Sequence, residues 1–155
     1  MKERKLKIKQ RKLPHWTIQN AVYFVTFTLV KGELSDKEKE IIFYHIMDGH
    51  GSFYDLLTVT VMPTHIHIVF NLLVDNDLSR VMKGTKGVSS HLLNQSRGTD
   101  GINWLDESFD RIIRNEEELN NAIEYIFMNP VKAGLVDNGN DYPFYYFNKD
   151  WKFED

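Results

Sequence analysis

The residues with the clearest chemical potential lie in the run Met62-Pro63-Thr64-His65-Ile66-His67-Ile68-Val69-Phe70. Side chains alternate between the two faces of an extended segment, so His65, His67 and Val69 share one face and Ile66, Ile68 and Phe70 the other. The second set is core. Two imidazoles two residues apart on one face can converge on a single divalent ion, because neutral imidazole is a common metal ligand. The same spacing suits two hydrogen-bonded or half-exposed histidines, and a third ligand nearby is what separates the two readings.

A second constellation follows about sixty residues later. Asn115 and Glu118 form an N-x-x-E capping signal, and Leu119, Ala122, Ile123, Ile126 and Phe127 then recur as the apolar stripe of a helix running to about Met128. Tyr125 falls off that stripe, in line with Glu118, Asn121 and Asn129. The i,i+4 spacing puts Tyr125 and Asn129 one turn apart on the same side. Set beside the histidine pair, the Asn129 amide carbonyl would be a third metal ligand and the Tyr125 phenolate a nucleophile. The competing reading makes Tyr125 an amphipathic boundary residue and Asn129-Pro130 a cap followed by a first-turn proline, opening a short second helix that ends near Gly134. Spacing alone leaves both open.

The elements that must carry these groups can be read in order. Ala21 to Val30 is rich in β-branched and aromatic residues and predicts a buried strand, broken by Lys31 and Gly32. From Ser35, a cap, to about His50, Ile41, Ile42, His45 and Ile46 recur at helical spacing with Lys37 and Lys39 outward. Leu56 to Met62 and His65 to Leu73 flank Pro63-Thr64 and predict an antiparallel hairpin. Asp77 to about Ser96 places Leu78, Val81, Met82, Thr85, Val88 and Leu92 on one helical face, with Lys83 and Lys86 on the polar one. A loop from Arg97 to Glu107 precedes a short strand, Phe109 to Arg114, and the tail after Val136 reads as aromatic and irregular. Strand, helix, strand, strand, helix, strand, helix is the α+β order of a ferredoxin-like βαββαβ sandwich with an antiparallel sheet, its C-terminal helix carrying the tyrosine. That architecture hosts many functions, so the site must supply the chemistry.

Composition narrows the class. A chain of 155 residues with 42% hydrophobic and 13% aromatic content supports one domain with one core, expected over residues 13–155 behind a basic N-terminal arm of residues 1–12. There are no cysteines, so disulfides, thiolate metal sites and cysteine nucleophiles are excluded together. No apolar run approaches the ~20 residues of a membrane-spanning helix, and the basic N-terminus lacks the apolar stretch of a secretory signal; a cytoplasmic protein without membrane partners is expected. The arm holds seven of the 19 basic side chains, Lys2, Arg4, Lys5, Lys7, Lys9, Arg11 and Lys12, and one of the 22 acidic ones. A basic arm on an acidic body suits local contact with a polyanion, and equally suits a solvated tail.

Three stretches together resemble the REP-associated tyrosine transposases, of the single-tyrosine HUH (insertion-sequence-200-like) transposases: Tyr23-Phe24-Val25-Thr26-Phe27; Met62 through Val69; and Tyr125-Ile126-Phe127-Met128-Asn129-Pro130-Val131-Lys132-Ala133-Gly134-Leu135-Val136. Leu78 through Gly84 and Phe109 through Arg114 fall in the expected order, so the resemblance covers about residues 13 to 143. It implies that His65 and His67 hold Mg²⁺ or Mn²⁺, with Asn129 as a further ligand where the simpler insertion-sequence branch usually has glutamine. It implies that Tyr125 attacks the scissile phosphate and becomes linked to the 5′ end of the cut strand, which is single-stranded DNA with hairpin structure. Lys5, Lys7, Arg11, Lys12, Lys83 and Lys86 are then expected phosphate contacts, with Trp16 and Tyr23 as stacking surfaces or core. The family includes both monomers and homodimers that exchange the tyrosine helix. Two other functions compete. Histidine-triad nucleotide hydrolases share the His-x-His start but need a third histidine where this chain has Val69. A non-catalytic, domesticated single-stranded nucleic-acid-binding module on the same fold would have little need of intact His65, His67 and Tyr125.

Overall fold

A computed structural model of the chain describes residues 21–151. Within them lie β1 (Val22–Thr28), α1 (Asp36–Asp48), β2 (Tyr54–Val61), β3 (His65–Leu72), α2 (Leu78–Arg97), β4 (Phe109–Ile113), α3 (Glu116–Lys132), a single 3₁₀ turn (Gly139–Asp141) and β5 (Tyr145–Phe147). The strands form one sheet in the order β4-β1-β3-β2-β5, and each neighbouring pair is antiparallel. The first four strands have the ferredoxin-like arrangement expected from their order. The fifth, from the tail expected to be irregular, pairs with the otherwise open edge of β2. Among the described residues no helix is long and apolar enough to cross a membrane.

The period-2 alternation of the strands sorts the core onto two faces. Tyr23, Val25, Phe27, Ile66, Ile68 and Phe70 are buried on one, against Ile42, Phe43 and Ile46 of α1 and Leu78, Val81 and Met82 of α2. Val22, Phe24, Val69 and Ile113 are buried on the other, against Leu119, Ala122 and Ile126 of α3. The histidines of β3 alternate with the first set and therefore lie on the α3 face.

Local chemistry sets the boundaries. α1 starts at a full capping box, in which the Glu38 amide donates to Ser35 Oγ at 3.2 Å and the Ser35 amide to Glu38 Oε1 at 2.8 Å. Asp77 caps α2, and α2 ends at Gly98 in the left-handed conformation (φ 66°) that an L side chain rarely adopts. On α2 the buried stripe runs Leu78, Val81, Met82, Thr85, Ser89 and Leu93, whereas Val88, expected inside, is 46% exposed. Ser89 takes the inner place because the buried indole of Trp104 donates to its hydroxyl at 2.9 Å. Lys39, expected outward, is buried, its ammonium paired with Asp36 and lying over the rings of Tyr142 and Phe144.

The turn before the histidines is held from outside. Met62 N–H donates to His65 O at 2.8 Å, Leu29 N–H to Thr64 O at 2.9 Å and Leu34 N–H to Pro63 O at 2.7 Å. Both carbonyls of Pro63-Thr64 are thus satisfied by the chain leaving β1, which fixes where β3 begins.

α3 is one helix, not the two that Asn129-Pro130 allowed. Pro130 lies inside it and is buried. Proline removes one helical hydrogen bond, here the one to the Ile126 carbonyl, and normally disfavours a helix interior. The helix nevertheless continues to Lys132, and Gly134 just past its cap is left-handed (φ 76°).

Candidate active site

Strand register brings the site together. Residues directly opposite on antiparallel strands share a face, and the pairing places Phe109, Thr26, His67, Thr60 and Tyr145 in one row across all five strands. His67, in the middle of the sheet, is buried. Its Nδ1 lies 2.7 Å from Thr26 Oγ1, while its Nε2 is buried with no hydrogen-bond partner among the described residues. With the proton on Nδ1 and donated to Thr26, the Nε2 lone pair faces the α3 side unused. Burial, with His65 nearby, pushes the His67 pKa down to about 3, so the imidazole is neutral at neutral pH and its lone pair is available.

His65 stands one pleat earlier at the half-open end of the strand, its ring centroid 4.7 Å from that of His67. Its Nδ1 is 3.1 Å from Thr64 Oγ1 and its Nε2 is 3.2 Å from Asn129 Oδ1. The Asn129 amide of α3 therefore meets the histidine pair of β3, and it is the oxygen that faces the ring. One turn earlier, the ring of Tyr125 packs edge-on against His67 with centroids 5.2 Å apart and tilted against Phe24 at 6.0 Å. Tyr125 is 47% exposed, so its ring is anchored while the residue stays open to solvent.

All four residues selected from spacing, His65, His67, Tyr125 and Asn129, thus lie together at the join of β3 and α3. Among the described residues no group of three or more His, Cys, Asp or Glu gathers at one point, so a cation here would take its third protein ligand from the amide of Asn129. An unpartnered buried imidazole nitrogen beside a second imidazole and an amide oxygen fits a divalent cation by donor chemistry.

The expected phosphate contacts are not brought to this place. Lys83 and Lys86 belong to α2, on the opposite face of the sheet. Lys86 Nζ donates to the Leu105 and Asp106 carbonyls at 2.8 and 3.2 Å, and burial lowers its pKa. Lys5, Lys7, Arg11 and Lys12, with Trp16, lie outside the described residues. Tyr23 is core, edge-on to Phe70.

Spacing missed other members of the site. Thr26 orients His67, and Phe24 touches both His67 (5.7 Å) and Tyr125. The Arg111 guanidinium lies over Phe24 at 5.2 Å. A cleft of about 340 Å³ is bounded by Phe24, Thr26, His67, Phe109, Arg111 and Tyr125. The available signal was Thr26 itself, a hydroxyl within an apolar strand.

With this geometry in place, the comparisons with known proteins agree with one another. The family described as "Transposase IS200 like" matches residues 18–126, a span that includes both histidines and Tyr125. A Haemophilus influenzae protein assigned as a REP-associated tyrosine transposase is 23% identical over 154 residues, covering 88% of this chain and 85% of the relative. The REP-associated tyrosine transposase of Escherichia coli K12 is 30% identical over 98 residues, 63% of this chain and 56% of the relative. A solved structure of a REP-associated tyrosine transposase bound to a REP hairpin superposes with a TM-score of 0.71 at 21% identity, covering 91% of this chain and 85% of that one. The chain belongs to the IS200-like transposase family, and within it is similar to the REP-associated tyrosine transposases.

Proposed function

We propose that this protein cuts and rejoins single-stranded DNA through a covalent 5′-phosphotyrosine at Tyr125, acting beside hairpin structures. The observation that carries the reading is the packing of the Tyr125 ring against His67, whose unpartnered Nε2 sits next to the His65–Asn129 pair. The Tyr125 hydroxyl gives up its proton to solvent and its oxygen attacks the scissile phosphorus. The bond from phosphorus to the 3′ oxygen breaks, and that oxygen takes a proton to leave as a hydroxyl. One phosphodiester is exchanged for another, so the reverse attack by a 3′ hydroxyl rejoins a strand without an energy source.

His65, His67 and Asn129 would hold a divalent cation, which when bound would polarise the phosphate and favour the tyrosine anion. Imidazole suits softer ions than Mg²⁺, so of the two expected ions Mn²⁺ is the better fit. Thr26 keeps the His67 ring turned so that Nε2 is free, and Phe24 supports the rings of both His67 and Tyr125. Within one chain Tyr125 already rests on its own His67, which supports a monomer carrying a complete set of groups. The hairpin substrate is supported by the related solved structure, which is of a complex with a REP hairpin. Lys5, Lys7, Arg11 and Lys12 are proposed to grip phosphates away from the cut.

The test is incubation with labelled DNA hairpins bearing randomised single-stranded flanks, with Mn²⁺ or with EDTA, for the wild type and Tyr125→Phe. A metal-dependent covalent protein–DNA adduct that the variant lacks is expected. Cleavage that survives Tyr125→Phe would assign the chemistry to water instead.

A further inference from the structure

Strand β4 leaves two side chains without cover beside the site. Its burial alternates irregularly, with Phe109 and Arg111 exposed and Ile113 buried. These three share one face, opposite Thr26, Phe24 and Val22 of β1, and it is the face that carries His67. Ile113 lies under α3. Phe109 and Arg111 extend past the helix, and Phe109 is 62% exposed. A phenyl ring largely open to water on the face of a sheet, directly beside a buried polar site, gains little from burial in the free protein.

Arg111 is not placed at random either. Its guanidinium stacks over Phe24, the same ring that touches His67 and Tyr125, so a fixed positive charge stands one aromatic ring away from the tyrosine. Phe109 occupies the next pair along β1, in the row of His67. Adjacent strands lie about 4.8 Å apart, which puts Phe109 roughly 10 Å from His67 across the sheet. That is nucleotide scale, and both residues line the cleft with His67 and Tyr125.

We infer that Phe109 and Arg111 form a clamp for the nucleotide next to the scissile phosphate, the ring stacking on its base and the guanidinium binding its phosphate. The inference rests on the proposed single-strand chemistry at Tyr125 and adds where the strand lies: across β1 toward the β4 edge. Only an unpaired base presents a free face to Phe109, so the clamp also selects single strands over duplex. Arg111 adds charge that every sequence offers equally, so it positions without reading sequence.

Binding in EDTA tests this without depending on cleavage. Fluorescence anisotropy of a fluorescein-labelled hairpin pool with randomised single-stranded flanks is measured over a series of KCl concentrations. The full chain is compared with Phe109→Leu, Phe109→Tyr, Arg111→Gln and Arg111→Lys, each checked for an unchanged melting curve. Phe109→Leu is expected to weaken binding about tenfold with the salt slope unchanged, and Phe109→Tyr to bind like wild type. Arg111→Gln is expected to reduce the salt slope by about 0.7, the value for one phosphate contact on a single strand, and Arg111→Lys to restore it. Wild-type affinity and slope in both Phe109→Leu and Arg111→Gln would overturn the clamp, while a Tyr125 adduct in the parallel cleavage assay would leave the parent reading standing. Wild-type protein that neither binds the pool nor forms the adduct would overturn both.

Discussion

His67 depends on Thr26 more than on any other residue of the site. Among the described residues only the 2.7 Å contact at Nδ1 ties the ring to a hydrogen-bonding partner, and an imidazole free to flip would lose the alignment of Nε2. Thr26→Val keeps the shape and removes the hydroxyl. Partners of this kind typically change metal affinity by about 10- to 100-fold, so Mn²⁺ titration by calorimetry is expected to show a loss in that range without a change in melting temperature of the metal-free protein beyond that of one hydrogen bond. Asn129→Ala is expected to weaken Mn²⁺ binding as well, through the oxygen that faces His65. The four residues chosen from spacing were legible because their types are scarce and their periods fixed: two on a strand of period 2, two on a helix one turn apart. Thr26, Phe24, Phe109 and Arg111 were not, because they join the site through strand register, and register is a property of the paired sheet.

Elements hold these side chains at their distances, and the most exacting support is behind α3. Gly139, in the 3₁₀ turn, is buried against that helix, and a Cβ there would collide with the Phe127 carbonyl and ring. Phe127 lies between Tyr125 and Asn129, so the push would arrive in the turn that spaces them. Gly139→Ala is expected to cost about 1–3 kcal/mol, the usual penalty of overpacking, and to reduce adduct formation further than its effect on folded fraction explains; denaturant titration and the adduct assay read the two separately. The turn is anchored in turn by Tyr142, whose hydroxyl donates to the Val61 carbonyl at 2.5 Å. Caps, strand alternation and the hairpin were readable because each is set by neighbours in sequence. β5 was not: its three residues form a strand only because β2 offers an open edge. Nor was the continuity of α3, since Asn129-Pro130 is equally a start signal, and only packing of Pro130 in the interior decides for one helix.

At the scale of the whole molecule, the two sides of the sheet serve different ends. The α1–α2 side is held by apolar packing and by the ion pair of Glu38 with Arg97, which ties the first turn of α1 to the last of α2. The Arg97 hydrogen bond, opposed by burial and aided by the Ser35 amide, holds the Glu38 carboxyl below its ordinary value of 4.5. A depressed carboxylate stabilises the fold fully above its unfolded value and loses that contribution as pH falls through the folded one. Arg97→Met is therefore expected to lower stability by about 2 kcal/mol at neutral pH and to flatten the loss seen below about pH 4.5, measured by urea unfolding across the acid range. Deleting residues 1–12 is expected to reduce the salt dependence of DNA binding, which anisotropy would show. The fold class followed from the order of elements, whereas the sidedness came only with α3 seated on the face that α1 and α2 leave free. That sidedness makes the molecule easy to hold. The chain has no cysteine, so Glu40→Cys on exposed α1 would give a unique attachment point, and a protein tethered there would present its entire reactive face to a DNA strand pulled past it.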